Sequence, residues 1–64
     1  MIGQVKTYDA RKKYGFISGD DGKDYFFHES EIHIPSKCLS AGYTVQFNVT
    51  DGYPIPKALD VSLL

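Results

Sequence analysis

Two short aromatic segments joined by a polar turn constrain this chain more than any other feature. Residues 14–18 read Tyr-Gly-Phe-Ile-Ser, and residues 23–28 read Lys-Asp-Tyr-Phe-Phe-His. An Asp-Gly pair lies between them at residues 21–22, which is a typical signal for the turn of a β-hairpin. Because side chains alternate between the two faces of a strand, both faces of the predicted hairpin carry large rings. One face can cover a core, so the other needs a separate explanation.

Three further segments are predicted to be strands. Residues 44–50 show the cleanest alternation of apolar and polar side chains, which is typical of a half-buried strand. Residues 4–8 and 57–63 complete the set, residues 29–32 are predicted to form one 3-10 turn, and residues 33–42 a loop. On the last strand, Leu59, Val61 and Leu63 are predicted to share one side. The predicted core consists of Val5, Ile17, Tyr25, Phe27, Val45, Phe47, Val49 and Val61.

Five strands and no α-helix in 64 residues predict an all-β chain with a single small domain spanning residues 1–64. An open sheet of this kind exposes its edges, and closure into a barrel removes them. The five-stranded OB-fold barrel binds oligonucleotides on the face of its second and third strands. An SH3-like barrel would also fit the spacing. The aromatic hairpin favours the antiparallel OB-fold barrel, with no helix beyond the 3-10 turn.

The positive charges of the chain are concentrated near this hairpin. The net charge is −1, yet four of the seven basic residues occupy the first thirteen positions: Lys6, Arg11, Lys12 and Lys13. If the predicted core fills the barrel, Tyr14, Phe16, Phe26 and His28 are left facing outward. Exposed rings bordered by cations provide stacking surfaces for bases and partners for phosphates. The pattern therefore indicates a protein that binds single-stranded nucleic acid.

Several other classes of protein fit the sequence poorly. Its one cysteine, Cys38, cannot form an internal disulfide, and no signal peptide or long apolar segment is visible, so a cytoplasmic location is expected. Cys38 and His33 lack an obvious third group to orient them as a nucleophile and base. Together with His28 they match no zinc-binding spacing. We therefore expect no enzymatic activity, no metal and no cofactor.

The same residues resemble those of a known family, the bacterial cold-shock proteins. Residues 12–17, Lys-Lys-Tyr-Gly-Phe-Ile, look like the family's first RNA-binding motif, Lys-Gly-Phe/Tyr-Gly-Phe-Ile. Residues 24–30 are similar to the second motif, Asp-Val-Phe-Val-His-x-Ser, and residues 3–9 resemble the family's opening segment, Gly-x-Val-Lys-Trp-Phe-Asn. The resemblance extends over essentially the whole chain.

This resemblance implies an OB-fold domain that binds single-stranded RNA or DNA and acts as a passive RNA chaperone or regulator of expression. It places the stacking residues at Tyr14, Phe16, Phe26 and His28. Its polar and backbone-contacting residues fall on Lys6, Lys12 and Asp24. The complete expected site also includes Tyr8, Lys13 and Pro56.

Some positions depart from the family pattern. Thr7 replaces a surface Trp, and Glu29 replaces an aromatic residue. Because each stacked base contributes ~1–3 kcal/mol, we expect weaker binding, although Tyr53 offers an additional ring. The alternative is a cold-shock scaffold used for protein interaction or self-association. A monomer is expected, with strand exchange near Pro35 as a second possibility.

Overall fold

The computed structural model describes residues 1–33, 39–52 and 55–64. Within these ranges the chain forms five strands and one 3-10 turn, as the all-β prediction required. The predictions that concern Pro35, Cys38 and Tyr53 lie outside the described residues. The elements are β1 (Ile2–Asp9), β2 (Tyr14–Gly19), β3 (Asp24–His28), the 3-10 turn (Glu29–Glu31), β4 (Thr44–Thr50) and β5 (Lys57–Leu63).

The strands close into a barrel in the order β1-β2-β3-β5-β4. Neighbouring strands are antiparallel except for β3 and β5, which run parallel where Phe26 is the partner of Lys57. This parallel contact completes the circle, and the antiparallel prediction did not include it. Because each of the five described strands has two neighbours, these strands leave no open sheet edge. The predicted five-stranded barrel is confirmed.

The core is built from one face of each strand together with two residues outside the strands. Ile17 and Phe27 are completely buried, and Tyr25 is 3% exposed, which confirms the predicted inner face of the aromatic hairpin. Ile32 follows the 3-10 turn and forms an isolated bridge with Val61. The buried apolar residues are Val5, Ile17, Tyr25, Phe27, Ile32, Leu39, Val45, Phe47, Ala58 and Val61.

A register shift between β4 and β5 makes the predicted face of β5 wrong. Gln46 pairs with Ser62 but Asn48 pairs with Leu59, so β5 contributes one extra residue to this stretch. The extra residue of such a bulge interrupts the alternation of side chains. As a result Ala58 and Val61 are buried, whereas Leu59 is only partly buried and Leu63 is 50% exposed.

The alternation of side chains along β4 also predicts the wrong environment for Val49. It was expected in the core, but it is 45% exposed. It lies one residue before the end of β4 and pairs with Ala58, whose side chain is a single methyl group. The burial of alternate residues on β4 stops at Phe47. The predicted core position of Val49 is therefore wrong, although its partner Ala58 is buried.

Candidate nucleic-acid interface

Three rings pack against one another on the outer face of the β2–β3 hairpin. Phe16 pairs directly with Phe26 and Tyr14 with His28 across the two strands. The ring centroids of Tyr14 and Phe26 are 5.5 Å apart, those of Phe16 and Phe26 5.8 Å, and those of Tyr14 and Phe16 6.3 Å. The three rings are half-buried and His28 is exposed. We call Tyr14, Phe16, Phe26 and His28 the aromatic platform.

A register shift in β1 places Thr7 beside the platform. Val5 pairs with Ile17, whereas Thr7 pairs with Phe16, so the extra residue in β1 is Lys6. Thr7 consequently lies beside Phe16 on the outer face of the barrel and is exposed.

Tyr8 does not join the platform. It pairs with Gly15 on the opposite side of the sheet, and its ring stacks on that of Phe27 with centroids 5.7 Å apart. A Cβ atom at Gly15 would lie 2.9 Å from the Phe27 ring and 2.9 Å from the Tyr8 Cα, and would also collide with the carbonyl oxygen of Thr7. The glycine is therefore needed for the close approach of β1 and for this stack. Tyr8 therefore lies beside the core and not on the platform.

His28 is held at the end of β3 by a local cap. Its Nδ1 accepts a hydrogen bond from the backbone N–H of Ser30 at 3.1 Å and lies 3.0 Å from the Ser30 hydroxyl. It thereby caps the 3-10 turn, in the way that a side-chain acceptor satisfies a free N–H at the start of a helix. Because Nδ1 accepts from an N–H, the proton of the neutral ring resides on Nε2. The cap fixes both the orientation and the tautomer of this ring.

Lys6, predicted as a phosphate contact, forms an ion pair. Its Nζ donates to the Asp24 carboxylate at 3.0 Å, and the two side chains are 57% and 46% exposed. The sequence interpretation assigned both residues to the site but did not foresee the contact between them. It depends on the strand pairing, since Asp24 lies opposite Ser18 on β2 and Lys6 is the extra residue of β1. The ion pair partly neutralises the cation that would meet a phosphate.

The turn between β1 and β2 holds three further cations, Arg11, Lys12 and Lys13, at the other end of the platform. The Asp9 carboxylate accepts hydrogen bonds from the backbone N–H groups of Arg11 and Lys12, at 2.9 and 3.2 Å. Lys13 takes a left-handed backbone conformation, with φ of 65°, and its carbonyl accepts a hydrogen bond from the Glu29 N–H at 2.8 Å. These bonds fix the turn next to the strand ends that carry Tyr14 and His28.

The start of β5 forms the remaining edge. The carbonyl of Pro56 accepts a hydrogen bond from the Phe26 N–H at 3.1 Å, which brings this predicted residue against the platform. Lys57, the partner of Phe26, was not in the predicted site. It lines a small pocket of about 170 Å³ together with Phe26 and His28. No local sequence signal identifies Lys57, because its position follows from the parallel pairing of strands that are distant in sequence.

One pair of ionisable groups supports the hairpin from below the platform. The hydroxyl of the buried Tyr25 donates a hydrogen bond to the carboxylate of Asp21 in the β2–β3 turn. This bond lowers the pKa of Asp21 from its usual 3.8. The same bond, followed by desolvation, raises the pKa of Tyr25 from 10.0 to about 12. Both pKa shifts favour an ionised Asp21 and a protonated Tyr25, which are the states that form this hydrogen bond.

Comparison with known proteins identifies the family. The family model described as the "Cold-shock" DNA-binding domain matches residues 1–64. The chain belongs to the cold-shock domain family. This is a family of nucleic-acid-binding domains and not a family of enzymes, so the resemblance noted in the sequence is confirmed.

Bacterial cold-shock proteins match over almost the full length of the chain. A cold shock-like protein of Thermotoga maritima is 40% identical over 65 residues, which cover 100% of this chain and 98% of that protein. The cold shock-like protein CspC of Bacillus cereus is 42% identical over 62 residues, with 95% of each chain covered. The major cold shock protein of Streptococcus pyogenes is 40% identical over 63 residues, covering 97% of this chain and 94% of that protein.

A solved structure shares the cold-shock fold at much lower identity. The structure titled drosophila Unr CSD456 superimposes with a TM-score of 0.76 at 20% identity and covers 98% of this chain. This cold-shock domain spans only 26% of that longer chain, so the match supports the fold alone. Within the part of the chain that is described, no helix is both long enough and apolar enough to cross a membrane.

Proposed function

We propose that this cold-shock domain binds single-stranded RNA or DNA by stacking successive bases on the aromatic platform. The observation that carries the proposal is the packing of Tyr14, Phe16 and Phe26 at centroid separations of 5.5–6.3 Å on an outer face. Stacking on such rings tolerates any base, because every base has a π-face. The binding surface lies within a single domain of residues 1–64.

Charged residues around the platform would meet the phosphates. Lys12 and Lys13 lie at one end and Lys6 at another, while Pro56 borders Phe26. Lys6 is already paired with Asp24, and Glu29 is held next to the basic turn. We therefore expect modest affinity, with only two to four phosphates neutralised.

The proposed action on RNA is passive. A protein that binds unpaired strands stabilises them by mass action and so opposes the formation of hairpins. No nucleotide hydrolysis is needed, which agrees with a family of nucleic-acid-binding domains. Such a protein acts as an RNA chaperone or as a regulator of expression, and a cytoplasmic monomer is part of this proposal.

Titration with a labelled heptathymidine or heptauridine tests the binding. For two to four neutralised phosphates, the slope of log K against log salt should lie between roughly −1.5 and −3. Binding that is absent at low salt and ~1 mM protein would refute the proposal. It would favour the alternative in which the scaffold serves protein interaction or self-association, and light scattering would then measure the oligomeric state.

Substitution of the rings tests the stacking. Phe16→Ala and Phe26→Ala are each expected to weaken binding by roughly 5- to 150-fold, the equivalent of ~1–3 kcal/mol per stacked base. Leu63→Ala is a matched control, because it removes an exposed apolar side chain from β5. NMR spectra of the free variants should show a folded barrel. If the ring variants unfold, or bind as tightly as the control, the rings serve the core and the stacking proposal is wrong.

A further inference from the structure

Three side chains with metal-binding chemistry meet where the 3-10 turn packs against β5. The ligand atoms of Glu31, His33 and Asp60 all lie within 4.8 Å of one another. Glu31 ends the 3-10 turn, His33 follows that turn, and Asp60 lies at the register shift of β5. We propose that this imidazole and these two carboxylates bind one divalent transition-metal ion of the zinc type.

The spacing of two of the ligands already fits a shared ion. The Nε2 of His33 lies 3.0 Å from a carboxylate oxygen of Asp60. Zinc bonds to nitrogen and oxygen are ~2.1 Å long, so two ligands at angles of 90–110° on one ion are ~3.0–3.4 Å apart. The Glu31 carboxylate can complete the set by a small movement of its side chain. Little reorganisation is therefore needed to receive the ion.

Neighbouring groups orient the proposed ligands. Asn48 donates a side-chain hydrogen bond to the second carboxylate oxygen of Asp60 at 3.2 Å. The backbone N–H of Asp60 donates to Glu31 at 3.2 Å, and the N–H of His33 donates to the Val61 carbonyl at 2.7 Å. Partners of this kind fix ligand orientation in metal sites, and their loss commonly lowers affinity 10- to 100-fold.

The donor set points to a particular class of ion. Imidazole suits Zn²⁺, Ni²⁺, Cu²⁺ and Fe²⁺, whereas Mg²⁺ and Ca²⁺ prefer oxygen ligands alone. Three protein ligands leave at least one coordination position for water. A surface pocket of about 590 Å³, lined by His33, Asp60 and Asn48 among others, provides the space. The ion would also neutralise two carboxylates and tie the 3-10 turn to β5.

Calorimetric titration of the full chain with Zn²⁺ tests the proposal. A Cys38→Ser background removes the only thiol, so that binding reports on the imidazole and carboxylates. We expect one saturable site for Zn²⁺ and none of comparable affinity for Mg²⁺. His33→Ala should weaken Zn²⁺ binding by at least ~10-fold. His28→Asn removes the only other imidazole but keeps a side-chain acceptor for the cap of the 3-10 turn, so it should leave Zn²⁺ binding unchanged.

Asp60→Asn separates loss of a ligand from loss of the fold. Asp60 has a φ of 52°, and Asn tolerates this left-handed conformation as well as Asp does. The variant should keep the NMR spectrum of the barrel but bind Zn²⁺ at least ~10-fold more weakly. A lack of saturable binding up to ~1 mM Zn²⁺ would overturn the proposal. Equal losses in His28→Asn and His33→Ala would overturn it too, because they would indicate adventitious binding to exposed imidazoles.

Discussion

Releasing Lys6 from its ion pair should strengthen the binding of nucleic acid in a way that depends on salt. The Nζ of Lys6 lies 3.0 Å from a carboxylate oxygen of Asp24, and the two side chains are 57% and 46% exposed. An ion pair this exposed contributes between zero and ~1 kcal/mol to stability. Asp24→Asn keeps the size of the side chain and removes its charge. The barrel should therefore remain folded while Lys6 becomes available to a phosphate.

The size of the effect follows from counterion release. Each additional phosphate neutralised on a single strand steepens the slope of log K against log salt by ~0.7. Between ~50 and ~200 mM salt, a fourfold change, the variant should lose ~2.6-fold more affinity than the parent chain. Fluorescence polarisation of labelled heptathymidine across this range measures both slopes. The variant should also bind more tightly at the lower salt concentration.

A second substitution controls for net charge. Asp20→Asn changes the net charge by the same amount, and Asp20 forms no ion pair within residues 1–33, 39–52 and 55–64. If the two variants steepen the slope equally, the effect is one of overall charge. If Asp24→Asn instead weakens binding, the carboxylate contacts the nucleic acid directly. Either result would refute the argument that the ion pair restrains Lys6.

Two further predictions concern the support beneath the platform. Gly15→Ala should destabilise the barrel by ~1–3 kcal/mol through overpacking against Phe27, lowering the melting temperature by at least ~4 °C. Gly22→Asn fits its left-handed backbone and should change the melting temperature little; an equal loss would contradict the packing argument. Tyr25→Phe removes the hydrogen bond from Tyr25 to Asp21. The stability lost should be largest between pH 3.8 and pH 10.0, the usual pKa values of Asp21 and Tyr25. In the parent chain, the stability that this hydrogen bond contributes should disappear as the pH falls through the lowered pKa of Asp21. It should also disappear as the pH rises through the pKa of Tyr25, at about 12. Urea unfolding across pH measures this, and a difference between the two proteins that is independent of pH would refute it.

The parts of the fold that depend on local alternation were predictable from the sequence. The burial of Ile17 and Phe27 and the outward position of Phe16 follow from a regular hairpin with a short turn. The bounds of β4 and β5 also agree with the predicted residues 44–50 and 57–63. In each case neighbouring residues carry the signal, so no knowledge of distant partners is needed.

The parts that depend on register were not predictable. An extra residue in β5 separates Leu59 from the buried Val61, although a regular strand would place both on one side. The contact of Lys6 with Asp24 and the position of Lys57 beside Phe26 join residues far apart in sequence. The sequence interpretation also considered His33 with Cys38 and His28, whereas the structure brings it to Asp60. Nothing in a local pattern specifies such pairings.

During synthesis, all the rings of the platform are made well before the strand that closes the barrel. The platform is complete at His28, whereas β5 begins at Lys57. At ~5–20 residues per second, the intervening ~28 residues take ~1.4–5.6 s to add. Over that interval β3 lacks the neighbour it has in the finished barrel, and an open strand edge recruits other chains. Stalling before β5 would therefore leave a nascent chain that is prone to aggregate, although it already contains every residue of the aromatic platform.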